Sequence, residues 1–304
     1  METKREFLKK LGLLTVGSVV GASYVKADTP KIGVSNLAKK DIGLQLYSLG
    51  NELTDDVPAG LKRVVEIGYT SGEAAGYSNG KMYNYEMSEF RKIADDAGLK
   101  ITGTHVSPSI RKYTKENAGE VAEFWKKAID DNLKCGIKTI VQPSMPTMES
   151  EDDIKFAGEV FNKAGEIAKS AGIRWGYHNH NREFERIGGG QNQRQGVVIY
   201  DTMLQNTDPA LVFFEMDVYW TVMGQADPVE YFEKYAGRFP ILHIKDRAVL
   251  GKSGMMNFEM IFKKAYENGL DEYYVEIEGI RNGMTQFEGV KQCYAYLENA
   301  KFVK

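Results

Sequence analysis

One arrangement recurs along this chain and limits what it can fold into. A helical stretch ends in glycine, and a short β-rich run follows that closes on polar or charged residues. Gly68 precedes the run 69–73, Gly98 the run 100–105, Gly136 the run 137–142, Gly172 the run 173–180, Gly237 the run 239–245 and Gly269 the run 272–278. Glycine takes the left-handed conformation that follows a helix without a Cβ clash, so each one reads as a helix stop. Runs 41–47 and 211–217 complete a set of eight strands.

The stretches between the runs have helical periodicity. Phe90, Ile93, Ala94 and Ala97 recur on one face, as do Val121, Phe124, Trp125, Ala128 and Ile129, and Val160, Phe161, Ala164, Ile167 and Ala168. These stripes are core packing, not a cofactor box. Asp227-Pro228 and Ser150-Glu151-Asp152 read as helix starts. Strands that alternate with helices give parallel strands joined by right-handed crossovers. Eight of each predict an α/β fold, a closed (β/α)8 TIM barrel. An open doubly wound sheet is the competing arrangement, but Gly43-Leu44-Gln45-Leu46-Tyr47 lacks the GxGxxG that such a sheet carries after its first strand. The run Gly188-Gly189-Gly190 is a loop inside one unit, not a linker. A single domain over 28–304 follows.

Residues 1–27 read as a signal peptide. Lys4, Arg5, Lys9 and Lys10 form a basic start, an apolar run covers 11–24, and Ala27 ends a weak cleavage site. The leader resembles twin-arginine signals but carries Lys-Arg, so Sec and Tat routes both stay open. The mature chain is expected in the periplasm, without stable membrane insertion; an uncleaved anchor is the alternative. Net charge is −3 and no Lys/Arg-rich run occurs, which speaks against a nucleic-acid partner. Cys135 and Cys293 cannot form a disulfide framework and read as buried thiols.

In a barrel of this kind the active site lies at the C-terminal ends of the strands. The residues there are Gln45 and Tyr47, Glu73, His105, Gln142, His178 and His180, Glu215 and Asp217, His243 and Lys245, and Glu276 and Glu278. All four histidines of the chain are among them. Side chains two apart on a strand share a face, so each doublet turns together toward the barrel mouth. Several buried carboxylates repel one another unless a cation sits between them. One divalent metal ion is the simplest remedy. His nitrogens with carboxylate oxygens suit Mn, Zn, Co or Fe, with Mg a further candidate. Each of these residues could instead be a hydrogen-bonded or salt-bridged support. Tyr77, Tyr83 and Tyr85 are a sugar-stacking platform or packed loop aromatics, and Trp220 walls the pocket or belongs to the core.

The segments 42–48, Tyr177-His178-Asn179-His180, 215–220, 242–246 and Val275-Glu276-Ile277-Glu278 resemble the xylose-isomerase-like barrel superfamily, the sugar phosphate isomerase/epimerase group. The resemblance spans essentially the whole mature chain. It implies one divalent cation held by Glu, Asp, His and Glu from the fifth to eighth strands. Asp217, His243 and Glu276 match by position; His178 stands where the family has the first Glu. That exchange removes one carboxylate of the two-base epimerases, and the H-x-H is similar to inosose-dehydratase-like members, which eliminate. The resemblance implies a metal-stabilised enediolate on a carbohydrate substrate. Glu276 or His178 takes the proton, and Lys245 or His180 donates one. Gln45, Tyr47, Glu73, His105, Gln142, Glu215, Trp220 and Glu278 are expected to contact substrate.

The leading expectation is a metal-dependent sugar isomerase or epimerase on a non-phosphorylated sugar. A lyase or hydratase acting on a keto-sugar or 3-keto-glycoside is the alternative, and a non-catalytic periplasmic carbohydrate-binding barrel a third reading. A DNA-repair endonuclease of the same superfamily conflicts with the charge balance. Homo-oligomerisation stays open.

Overall fold

The computed structural model describes residues 40–190, 195–280 and 283–304. The expected signal peptide lies outside the described residues. Eight parallel strands close a barrel: β1 Gly43–Gln45, β2 Ser71–Ala74, β3 Lys100–His105, β4 Thr139–Gln142, β5 Arg174–His178, β6 Val212–Asp217, β7 Ile241–Lys245 and β8 Glu272–Glu276. Each strand pairs with its neighbours in chain order, and β1 pairs with β8. The principal outer helices are α1 Val57–Ile67, α2 Met87–Ala97, α3 Ala118–Lys134, α4 Glu151–Ser170, α5 Ile199–Gln205, α6 Pro228–Lys234, α7 Phe258–Glu267 and α8 Gln286–Asn299. No helix among the described residues is long and apolar enough to cross a membrane.

Local chemistry sets these boundaries. The six glycines that precede strands all have positive φ, from 72° at Gly136 to 128° at Gly68. Ser150 and Asp153 form a capping box at the start of α4, and Asp227 accepts from the Val229 N–H at the start of α6, with Pro228 behind it. Strand limits are tighter than the sequence runs. The chain turns into a 3-10 helix at Leu46, so Tyr47 sits beyond β1, and β5 stops at His178, so His180 stands on the following loop.

The main core lies between barrel and helices. Trp125, Phe161, Trp175 and Tyr177 interlock there, with ring centroids 5.1–5.4 Å apart, and all are fully buried. Truncating a buried aromatic of this size to alanine costs about 3–5 kcal/mol. Both cysteines are buried and free. Inside the barrel a separate small cluster, Val141, Phe213, Ile241 and Tyr274, forms an apolar floor. Above that floor the interior changes from apolar to ionisable. The segment leading into β1 is tied to the last helix: the Lys40 ammonium donates to the carbonyls of Leu297, Glu298 and Ala300 at the end of α8, at 2.6–2.9 Å.

Candidate metal centre and pocket

Register and stagger decide which strand-end residues meet. Asp217 lies beside His243, Lys245 beside Glu276 and Glu215 beside His178. A register shift between β2 and β3 at Gly72/Glu73 adds a bulge that aims Glu73 into the interior. Gly103 makes room for it, because a Cβ there would stand 3.1 Å from Glu73 Oε1 and 2.9 Å from Thr139 Oγ1.

Two groups of donor atoms result, and His243 belongs to both. The first is a closed ring. His243 Nε2 lies 2.8 Å from Glu73 Oε2 and 3.2 Å from Glu215 Oε2, and His105 Nε2 lies 2.8 Å from Glu215 Oε2 and 3.2 Å from Glu73 Oε2. Gln45 Nε2 donates to the same Glu73 oxygen at 2.7 Å. The second group is His178, Asp217, Glu276 and His243, whose ligand atoms lie within 4.8 Å of one another. His243 Nδ1 contacts Glu276 Oε2 at 2.9 Å. His178 Nε2 is 3.8 Å from Asp217 Oδ2, beyond hydrogen-bond reach. Both His178 ring nitrogens and Asp217 Oδ2 are buried without a hydrogen-bond partner among the described residues.

Lys245 is buried beside this second group. Its ammonium lies 3.3 Å from Glu276 Oε2, 3.6 Å from Asp217 Oδ2 and 2.9 Å from Glu278 Oε2, and 4.9 Å above the Trp220 ring. Burial pushes the Asp217 carboxyl up to about 7 even though Lys245 works against it. Burial and the nearby Glu73 carboxylate likewise raise Glu215 to about 7. Burial opposes ionisation of Glu276 too, yet Lys245 and His243 outweigh it and hold that carboxyl below its usual range. Burial, with the His243 and His105 rings adding to it, keeps His178 neutral, well below its ordinary value. A neutral imidazole with two unused nitrogens, next to a carboxylate oxygen with no donor, is a donor set that fits a divalent cation.

A pocket of about 400 Å³ opens over this group. Of the expected site residues, Tyr47, His105, His178, His180, Glu276 and Glu278 line it. Tyr47 is 61% exposed at the rim. Asp217, His243 and Lys245 form the layer beneath, joined by Gln45, Glu73 and Glu215, which are fully buried. Trp220 stands behind Lys245 and 5.8 Å from the His180 ring. Gln142 does not join the group. Val141 belongs to the barrel floor, so Gln142 faces the helix layer, where the Tyr113 hydroxyl donates to it at 3.0 Å. Of the three loop tyrosines only Tyr77 reaches the pocket, its hydroxyl donating to Asp131 at 3.0 Å, while the Tyr83 hydroxyl accepts from the Ala75 N–H.

Sequence reasoning missed Asn179. This buried amide accepts from the Asp217 N–H and the Tyr200 hydroxyl and lies against the Asp217 carbonyl and Thr221, tying the end of β5 to the end of β6. Its place between two histidines was the available signal. It missed Ser107 and Pro143 in the pocket wall as well, since neither carries a sequence mark of its role.

Residues 61–300 match the family described as xylose isomerase-like TIM barrel. A crystal structure of a sugar phosphate isomerase/epimerase from Parabacteroides distasonis is 52% identical, with a TM-score of 0.85, covering 89% of this chain and 99% of that one. The inosose dehydratase of Clostridium beijerinckii is 28% identical over 287 residues, 80% of this chain and 92% of that protein. The match to the inosose dehydratase of Clostridium tetani, at 29% identity, spans 32% of this chain and 30% of that protein.

Proposed function

Because the chain belongs to the xylose isomerase-like TIM barrel family, we propose that it is a divalent-metal-dependent sugar isomerase or epimerase whose reacting sugar carries no phosphate. The observation that carries this reading is the set of unpartnered donor atoms on His178 and Asp217, next to Glu276 and His243. These four residues would hold the cation. When bound, it supplies Lewis-acid neutralisation of charge developing on adjacent substrate oxygens.

The chain's own residues supply the proton chemistry. Glu276 lines the pocket, stays ionised beside Lys245 and His243, and is the base that takes the proton next to the carbonyl. Lys245, held by three carboxylates, keeps its proton and offers it toward a substrate oxygen, with His180 the second donor at the rim. Tyr47 and Tyr77 offer flat faces to a sugar ring, and Tyr47 its hydroxyl as well, since that of Tyr77 is engaged by Asp131. Among the described residues the lining contains Glu276 and Glu278 and no Lys or Arg, which disfavours a phosphate on the reacting unit. The signal peptide expected at 1–27 from the sequence favours an extracytoplasmic substrate, in agreement with a free sugar.

A second reading, elimination from a keto-sugar, is favoured by His178. With an imidazole there, a second carboxylate base on the opposite face is missing, and the relatives named inosose dehydratase support the same outcome. The test is NMR of solvent deuterium exchange with the manganese-loaded protein over free sugars, sugar phosphates and 3-keto-glycosides. Exchange or epimer formation without loss of a group supports the isomerase; release of an aglycone or water replaces it by the lyase. Turnover confined to sugar phosphates overturns the substrate assignment. Sugar binding that is indifferent to chelator, without exchange, overturns the enzyme reading.

A further inference from the structure

The pocket over the metal group has a larger neighbour of about 800 Å³, between the loop after β7 and the loop after β8. Glu278 stands in the wall of both, so the two spaces adjoin at one side chain. Their charge is divided. The first presents Glu276 and Glu278, and its lysine is already held by three carboxylates. The second presents Arg247 and Lys252, neither of which makes an ion pair or side-chain hydrogen bond among the described residues, and the shared Glu278 in its wall is already paired with Lys245 at 2.9 Å. The same lining holds apolar side chains, including the half-exposed Met255 and Met284.

The loop that carries the two cations is built rather than loose. Asp246, 1% exposed, accepts from the N–H groups of Arg247 at 2.7 Å, Gly251 at 2.9 Å and Ser253 at 3.5 Å. The Leu250 N–H is held by Cys293 Sγ at 3.3 Å. One buried carboxylate thus fixes the backbone on both sides of Lys252, which lowers the cost of presenting its charge and that of Arg247 together. A guanidinium matches a carboxylate or an esterified phosphate or sulfate in a bidentate fork, and an ammonium adds a point charge.

We propose that this second pocket is an anion-accepting subsite and that the substrate is an extended carbohydrate. Its uncharged reacting unit lies in the strand-end pocket, and a linked unit bearing a carboxylate or an ester anion lies against Arg247 and Lys252. The first unit's identity rests on the proposed sugar chemistry; the subsite itself does not.

The test uses the full chain with methyl-¹³C methionine, read by NMR. Glucose, glucuronate and glucose 6-phosphate are titrated in turn. The Met255 and Met284 methyls are expected to shift with the anionic sugars, at an affinity roughly tenfold above that for glucose. The tighter of glucuronate and the phosphate ester names the anion. In the Arg247→Gln/Lys252→Gln variant that advantage disappears while the response to glucose is kept. Asp217→Ala, which disables the metal group, leaves the methionine shifts intact, so failure of the metal reading and failure of the subsite are told apart. A disaccharide ending in glucuronic acid is expected to bind more tightly than glucuronate alone. Equal response to charged and neutral sugars, no methionine shift, or an unaltered double variant overturns the proposal.

Discussion

The closed ring around Glu73 and the open group around His178 are built from the same residue types, a few ångströms apart, and share His243. They differ in how their atoms are satisfied. In the ring, nitrogens alternate with the Oε2 atoms of Glu73 and Glu215, and every member holds a partner within 2.8 Å, while Glu73 Oε1 and Glu215 Oε1 are buried without one among the described residues. Protons between the nitrogens and the Oε2 atoms suffice to close those contacts. In the open group, among the described residues, His178 has no hydrogen-bond partner, and Asp217 spends Oδ1 on the Trp220 N–H while Oδ2 accepts no hydrogen bond and lies 3.6 Å from the Lys245 ammonium. Protons do not close that group, because burial keeps His178 neutral and leaves its nitrogens without donors or acceptors in reach. The comparison separates two roles: the ring orients His243 from behind, and the open group offers donor atoms to a cation.

The largest effect expected from breaking this contrast is at Asp217. Asp217→Ala lowers divalent-metal affinity by more than about 100-fold, the upper range for altering support around a metal ligand, and elemental analysis after dialysis reads the loss. Removing its cap on the helix Val218–Met223 costs on the order of 1 kcal/mol, so the circular dichroism of a folded barrel remains. Full metal retention defeats the assignment. Next, manganese at a hundredfold excess over its dissociation constant raises the unfolding free energy by about 2.7 kcal/mol. Urea denaturation measures this, and EDTA abolishes it; an equal gain in Asp217→Ala shows that the ion binds elsewhere.

The ring is tested by Glu215→Gln. Affinity for the metal falls about 10- to 100-fold through loss of His243 orientation, with occupancy restored at high metal concentration. No change means that the ring is a bystander. The smallest effect belongs to Gln45→Met, which removes the 2.7 Å bond to Glu73 two steps from the cation. A net cost on the order of 1 kcal/mol, measured by denaturation, with metal affinity altered only a few-fold, fits the gradation. An effect as large as that of Asp217→Ala would merge the two groups into one.

Much of this site was legible in the chain because its periodicities are local. Gly98 and Gly172 mark helix ends that the backbone obeys, and the two-residue period of strands places Glu215 with Asp217 and His243 with Lys245 on one face. The same rule did not reveal that doublet members sit in successive layers, Glu215 in the ring and Asp217 in the open group. Gln142 shows the limit from the other side. It ends a strand like the rest, yet Val141 takes the inward face and turns Gln142 toward Tyr113. Asn179, whose place between two histidines was its one mark in the sequence, proves to be a tie between two strands.

What the sequence determined by itself is the repeat, the parallel barrel and the list of polar strand ends, since each follows from short-range dihedral preferences and burial period. What only tertiary structure decided is the partnership among those ends. Glu73 and His243 are 170 residues apart in the chain, and their contact depends on barrel stagger and on one bulge beside Gly103. No local preference encodes an offset between strands; it emerges when the sheet closes and all eight registers must agree at once.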